Sequence, residues 1–343
     1  MSSRYPMPMP YGWFHVSYSD ELQSGQAKPI HYFGKEMVLF RTESGEVSCL
    51  DAYCPHMGAH LGHGIHEFMG KGGEVSGEDI VCPFHGWKFN TEGFCTDVPY
   101  AKNIPPKVKD NQCIPKYHVC ERNQSIFVWY HPDSSVEPLW DVESIEEAQF
   151  DNEEWGEIEN HCKKIRTHIQ DIAENGADPA HFMYVHGTAH IPDVQDAEFG
   201  KYSRRVELTS KMNTPRGLVD GKIAFCNFGA GQTVTYFSGI CDTVLLGLIT
   251  PIDQEYVEVN FGFIQKKVDG KVPTGGVNAA IKADILKQLD EDTPIWENKI
   301  YRPLPILCDG DGPIAKFRRW YATYYADYDE SKAGGDVPLK NVG

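Results

Sequence analysis

Cys54-Pro55-His56 and Cys82-Pro83-Phe84-His85 each put one thiol and one imidazole into a short turn. Both groups ligate transition metals, and the way they are grouped indicates which metal they suit. Structural zinc sites usually pair cysteine with cysteine and histidine with histidine, as Cys-x2–4-Cys and His-x3–5-His. Here each pair is mixed. That pattern suits a [2Fe–2S] cluster in which two thiolates hold one iron and two imidazoles the other, with Cys54, His56, Cys82 and His85 as its ligands. Structural zinc is the competing reading of the same four residues. Gly58, Leu61, Gly62 and Gly64 after the first pair, and Gly86-Trp87 after the second, agree with tight ligand loops.

A second set of candidate ligands lies in the stretch from Glu174 to Gly187. Asp178 and His181 are three apart, a spacing that puts both on one helix face. His186 stands five further on, where Gly187 would end the helix. Two histidines and a carboxylate with positions left open form the facial triad of non-heme Fe(II) oxygenases. The bland alternative is a His-rich surface, because His161, His168 and His190 lie nearby. The carboxylate is expected from a later helix, where Asp292 falls in register with Ile281, Ile285 and Leu289. An acid on that core-facing stripe is costly unless it is paired or metal-bound. Asp290 and Glu291 turn away from the stripe and read as solvated.

These residues need two kinds of scaffold. From Trp13 to about Tyr130 short β runs alternate with turns, among them Met37–Phe40, Glu46–Leu50, Ile80–Val81 and Ser125–Tyr130, which predicts an all-β domain with the Cys–His loops at its tip. Around His131-Pro132-Asp133 the composition turns to Pro, Ser, Glu and Asp, the mark of a linker. The expected division is therefore 1–132, then 133–330, then a polar tail over 331–343. The second unit reads as a helical stretch near 170–185, strands at Lys222–Phe228, Gln232–Phe237, Thr243–Thr250 and Tyr256–Phe263, and a helix from about Val277 to Lys299. Strands flanked by helices within one unit predict an α+β fold. Phe225, Phe228, Val234, Tyr236, Leu245, Leu246, Phe261 and Phe263 offer the strands' apolar faces to a pocket, with alternation turning half of them inward. The 25 residues between His56 and Cys82 include a surplus, Gly64 to Gly77, that reads as a lengthened loop.

The chain's 343 residues suffice for two domains with ample core. Its formal charge of −17 argues against nucleic acid, which wants a basic face. No run long enough to span a membrane occurs, and the N-terminus lacks an apolar signal region. Ten cysteines without an export signal point to a reducing compartment, the cytoplasm.

The order of these motifs resembles the oxygenase (α) component of Rieske non-heme iron oxygenases over most of the chain. Within that superfamily it is similar to the steroid-acting branch, the 3-ketosteroid 9α-hydroxylase oxygenases and sterol 7-desaturases. The carrying segments are Asp51 to Gly58, Val98-Pro99-Tyr100-Ala101 with Pro105-Pro106, and His181 to His186. To these are added Ile295-Trp296-Glu297-Asn298-Lys299, Asp311-Gly312-Pro313 and Arg318-Arg319-Trp320-Tyr321. Respiratory Rieske proteins carry an extra cysteine in each loop and a hydroxyl donor after the His-Gly pair. Here Phe84 stands where the second cysteine would fall, none follows His56 before Cys82, and Trp87 replaces the hydroxyl. Fewer hydrogen bonds to the sulfurs predict a lower potential.

The resemblance implies an all-β Rieske domain followed by a helix-grip, START-like α+β domain. It implies a [2Fe–2S] cluster, mononuclear Fe(II), and NAD(P)H electrons delivered by a separate flavin reductase, with or without a ferredoxin. Carried residue by residue, His181, His186 and Asp292 hold the iron, and Asn175 lies near it without binding. Family members form head-to-tail homotrimers, in which Asp178 would link His181 to a neighbour's His85. The implied reaction is monooxygenation of an apolar polycycle, a steroid above all, by O2. Desaturation, O-demethylation and aromatic hydroxylation are the alternatives within the enzyme class. A Rieske electron carrier with an appended partner-binding domain is the alternative outside it.

Overall fold

The computed structural model describes residues 4–326 except 67–69, 72, 151, 189, 215–216 and 240. The expected tail over 331–343 lies outside the described residues. Trp13–Ser144 form one unit, and residues 4–12 with 145–326 form the other.

In the first unit Val119–Arg122 pair with Ser125–Tyr130, which run beside Gly12–Tyr18. Lys116–Tyr117, Val47–Asp51, Lys35–Arg41 and Ala27–Tyr32 make a four-stranded sheet in that order. Cys95–Asp97, Lys88–Phe89, Asp79–Val81 and Glu74–Ser76 make another. Val38, Phe40, Leu50, Ile80, Trp87 and Phe89 pack together with Cys54 and Cys82, so both thiols start from the core. The surplus before Cys82 is not wholly a loop. Its last part, Glu74–Ser76, pairs antiparallel with Asp79–Val81, and residues 67–69 and 72 lie outside the described residues.

The division falls at Ser144 rather than at residue 132. The reason is hydrogen bonding: Trp13 Nε1 donates to Trp140 O at 2.6 Å, Trp129 Nε1 to Val136 O at 3.0 Å and Asn123 Nδ2 to Glu143 O at 2.7 Å. The polar segment read as a linker is laid along the β unit. At the other end, residues 4–12 go with the second unit. Tyr5 donates to Asp171 at 2.7 Å, Arg4 Nη2 to Trp296 O at 2.6 Å, and His168 Nε2 lies 3.1 Å from Pro8 O.

The second unit is α+β. Its seven-stranded antiparallel sheet runs, in order, Glu159–Ile165, Val257–Gln265, Thr243–Pro251, Gln232–Ser238, Gly217–Phe228, Ser203–Thr214 and Asp193–Phe199. The last six are consecutive in the chain, so each pairs antiparallel with its neighbour in sequence. Helix α1 spans Ile169–Asn175, α2 Ala180–Tyr184, α3 Gly276–Asn298 and α4 Ile314–Ala322. Ile281 and Ile285 of α3 pack on Leu245 and Phe263 of the sheet. Glu174 of α1 accepts from Arg318 of α4 through both carboxylate oxygens, at 2.6 and 2.8 Å. The helical stretch near 170–185 is thus two short helices, because Gly176 ends α1 and Pro179, which has no amide hydrogen, starts α2. No helix among the described residues is long and apolar enough to cross a membrane.

Candidate metal centres and substrate cavity

The two Cys–His loops close in the same way. The amide of Gly58 donates to Cys54 O, and that of Gly86 to Cys82 O, both at 2.9 Å. Both glycines adopt left-handed φ, 75° and 71°, which costs an L-residue about 1–2 kcal/mol. Within each loop backbone amides point at the sulfur, those of His56 and Met57 at Cys54 and those of Phe84 and His85 at Cys82. Such donors favour a thiolate. The two thiols lie within hydrogen-bonding reach of each other, and the rings of His56 and His85 are centred 4.7 Å apart.

Nδ1 of His56 and of His85 is buried with no hydrogen-bond partner among the described residues. Buried polar atoms rarely stay unpaired, so two such ring nitrogens in the loops that carry two thiols call for a metal group. The donors fit a [2Fe–2S] cluster. Trp87 stacks on His56 at 4.6 Å and 9°, and gives its Nε1 hydrogen to the Tyr100 hydroxyl at 2.8 Å. The position that would carry a hydroxyl donor therefore contributes a flat wall instead.

The shared loop geometry makes a prediction. A Cβ at Gly86 would meet Pro99 Cγ at 3.2 Å, whereas one at Gly58 meets nothing within 4 Å. Gly86→Ala should lose about 1–2 kcal/mol to backbone strain plus that contact, and bind less iron and sulfide than Gly58→Ala. Iron and acid-labile sulfide assays with the visible spectrum check this, and equal cluster content in the two variants contradicts it.

In the α+β unit His181, His186 and Asp292 each offer one ligand atom, and these atoms all lie within 4.8 Å of one another. It is the one such group of three among the described residues. His181 comes from α2, His186 from the turn after it, and Asp292 from the buried face of α3 beside Leu289 and Trp296. Nδ1 of His181 faces the carbonyl of Asp178, which leaves Nε2 for a metal. Burial pulls the His181 imidazole below its usual range, against the Asp178 carbonyl and Asp292. Burial also acts on His186, but hydrogen bonding to Asp292 and Glu291 outweighs it and raises that group. Two histidines and one carboxylate with open positions suit ferrous iron.

Asn175 holds the carboxylate still. Its Nδ2 donates to Asp292 Oδ2 at 3.0 Å, and its Oδ1 accepts from Trp296 Nε1 at 3.3 Å. Asp178 does not share a helix face with His181. It precedes Pro179, and its Oδ1 accepts from the amides of Ala180 and His181 at 3.1 and 3.4 Å, capping α2. His161, His168 and His190 stand apart: His168 is buried and caps α1 by accepting from the amide of Gln170, and the other two are exposed. Asp290 is solvated as expected, paired with Lys163 at 2.6 Å. Glu291 is not. It turns back to His186 Nδ1 at 3.0 Å. Asn175 was reached through the family resemblance alone, and no feature of the local sequence pointed to it. Glu291 carried no signal either, because helical spacing places it off the stripe of Ile281, Ile285 and Leu289, where an acid reads as solvated.

The three candidate ligands open onto a cavity of about 510 Å3, within the range of small-molecule sites. Odd-numbered positions of four neighbouring strands line it, including Ile223, Phe225, Phe237, Leu245, Ile249 and Phe261, as strand alternation requires. Of the eight apolar residues expected there, Phe225, Leu245 and Phe261 line the cavity. Phe263 shares their face but packs under α3, and Phe228, Val234, Tyr236 and Leu246 are absent from the lining.

A site built to take single electrons and an open-sided ferrous site on an apolar cavity are useful together in one kind of protein. That is an enzyme that reduces O2 beside a bound substrate, the class of Rieske non-heme iron oxygenases. Residues 12–117 match the Rieske [2Fe-2S] domain, and residues 128–325 match the 3-Ketosteroid 9alpha-hydroxylase C-terminal domain. The oxygenase component of 3-ketosteroid-9-alpha-monooxygenase from Rhodococcus rhodochrous is 28% identical over 93% of this chain and 82% of its own length. Cholesterol 7-desaturase from Caenorhabditis elegans is 31% identical over 94% and 78%. The structure of dicamba monooxygenase bound to 3,6 dichlorosalicylic acid superposes with a TM-score of 0.71 at 18% identity, over 92% of this chain and 96% of that one. The chain belongs to the Rieske oxygenases that carry the 3-ketosteroid 9α-hydroxylase C-terminal domain, and it is an oxidoreductase using a [2Fe–2S] cluster and mononuclear iron.

Proposed function

We propose that this chain is the terminal oxygenase of a multicomponent monooxygenase and hydroxylates a steroid. The observation that carries the reading is the 510 Å3 cavity, walled by apolar side chains of the sheet and open to His181, His186 and Asp292. The likeness to a ketosteroid monooxygenase and a cholesterol desaturase supports the substrate class. When bound, the cluster supplies single electrons and the mononuclear iron supplies O2 activation. Cys54, His56, Cys82 and His85 would hold the first, and His181, His186 and Asp292 the second. The net reaction places one oxygen atom in a C–H bond and releases the other as water. Its two electrons come from NAD(P)H through a flavin reductase, with or without a ferredoxin, and its two protons are one equivalent from that hydride and one from solvent.

The chain's residues do the positioning. Trp296 and Asn175 fix the Asp292 carboxylate, and the aromatic wall of Phe225, Phe237 and Phe261 excludes water from the substrate. Asp178, next to His181, carries electrons from a neighbour's His85 in a head-to-tail trimer. Exposed apolar groups beside both centres support that contact: Met57, Phe84 and Tyr100 near the cluster loops, and Met183 and Tyr184 near His181. The eight cysteines other than Cys54 and Cys82, none of them in a disulfide, agree with a cytoplasmic enzyme.

The test feeds a steroid panel and a methoxyarene panel to the iron-loaded protein with a surrogate reductase under 18O2. A steroid product carrying one labelled atom, formed in step with NADH consumption, is expected. Unlabelled alkene from a sterol turns the reading to desaturation at the same site, which the desaturase likeness favours. Turnover of methoxyarenes alone overturns the steroid assignment.

A further inference from the structure

His186 is gripped at both edges. Its Nε2 faces Asp292 Oδ2 at 3.4 Å, and its Nδ1 lies 3.0 Å from Oε2 of Glu291, the preceding residue of α3. The ring is 2% exposed, so solvent does not set its orientation. A neutral imidazole offers a metal one nitrogen, and the group that takes the hydrogen of the other fixes which one. His181 is fixed alike, by the carbonyl of Asp178 at its Nδ1. The acceptors differ in kind: one belongs to the main chain, the other is an anionic side chain. Glu291 is itself steadied by Lys287 one turn earlier, whose Nζ lies 3.2 Å from Oε1. That contact engages the carboxylate's second oxygen on the side away from His186.

We propose that Glu291 is a positioning residue of the mononuclear site. It accepts the Nδ1 hydrogen of His186, holds Nε2 toward His181 and Asp292, and makes His186 the more strongly donating imidazole of the two. The inference rests on the reading of His181, His186 and Asp292 as the iron ligands. Carboxylate partners of metal-bound histidines typically contribute 10–100-fold in metal affinity. Lys287, 63% exposed, contributes little by comparison.

The experiment titrates Fe(II) anaerobically into cluster-loaded protein whose mononuclear iron has been removed, for the parent and for Glu291→Ala, Glu291→Gln and Glu291→Asp. It also records the EPR spectrum of each variant after nitric oxide is added to the ferrous form. Glu291→Ala should raise the Fe(II) Kd by about 10–100-fold and alter that spectrum. Glu291→Gln, of the same shape without the charge, should fall between, and Glu291→Asp should recover part of the affinity. The cluster's visible spectrum reports that each variant is folded, and if the alanine variant fails there, the glutamine variant decides. Parent-like Kd and EPR in the folded variants overturn the role of Glu291. His181→Ala separates the two layers of the argument: if it too keeps its iron, the ligand reading has failed, and if it alone loses iron, only the role of Glu291 has.

Discussion

Asp178→Asn should leave both iron centres loaded and reduce coupled turnover by on the order of 100-fold or more. Asparagine is the informative replacement. In the structure Oδ1 of Asp178 caps α2 through the amides of Ala180 and His181, and asparagine caps as well as aspartate. The His181 contact runs to the Asp178 main-chain carbonyl, so it survives too. What changes is the charge: an amide offers an N–H where, in the proposed trimer, the carboxylate would offer a neighbour's histidine a lone pair. Asp178→Ala removes cap and charge together, so a loss of iron there reports the helix and not the electron route. Iron content and the cluster spectrum should match the parent in Asp178→Asn. Oxidation of a pre-reduced cluster in single turnover with substrate and O2 should be slow. Parent-like turnover in Asp178→Asn would remove the bridge from the proposal.

His181→Ala has the second large effect. The donors of His181, His186 and Asp292 converge within 4.8 Å, and removing one of three protein ligands should empty the mononuclear site. Iron should fall from about three to about two atoms per chain, the share of the cluster alone. The visible spectrum should persist, because the cluster loops belong to the separate unit Trp13–Ser144. Oxygen uptake coupled to product should vanish. Persistence of three irons would show that the metal lies elsewhere. Loss of the visible spectrum as well would show that the two units do not hold their metals independently.

Much of this was legible in the sequence, and the exceptions have physical causes. Strands with clear alternation or unbroken apolar runs lay where expected: Ser125–Tyr130 to the residue, and Thr243–Pro251 and α3 to within one. The inward half of each sheet strand was not legible, since periodicity gives two faces and packing under α3 chooses between them. Helix α4 was missed as a helix although its buried Ile314, Phe317, Trp320 and Tyr321 follow helical spacing. The break between α1 and α2 was misread because the His and Asp spacing suggested one face, while Gly176 and Pro179 interrupt it. Metal donors are readable as residue types at short spacings. Glu291 could be recognised only once α3 was laid against His186, a contact 105 positions apart in the chain.

The hydrogen bonds that carry residues 4–12 back onto α1 and α3 make the Trp13–Ser144 unit an insertion within the other rather than a module at its head. Exchanging the cluster-bearing portion between relatives therefore requires two splices, one beside Gly12 and one beside Ser144. A chimera joined at a single seam would strand Tyr5 away from Asp171 and Arg4 away from Trp296, and with them the footing of the helix that bears Asp292.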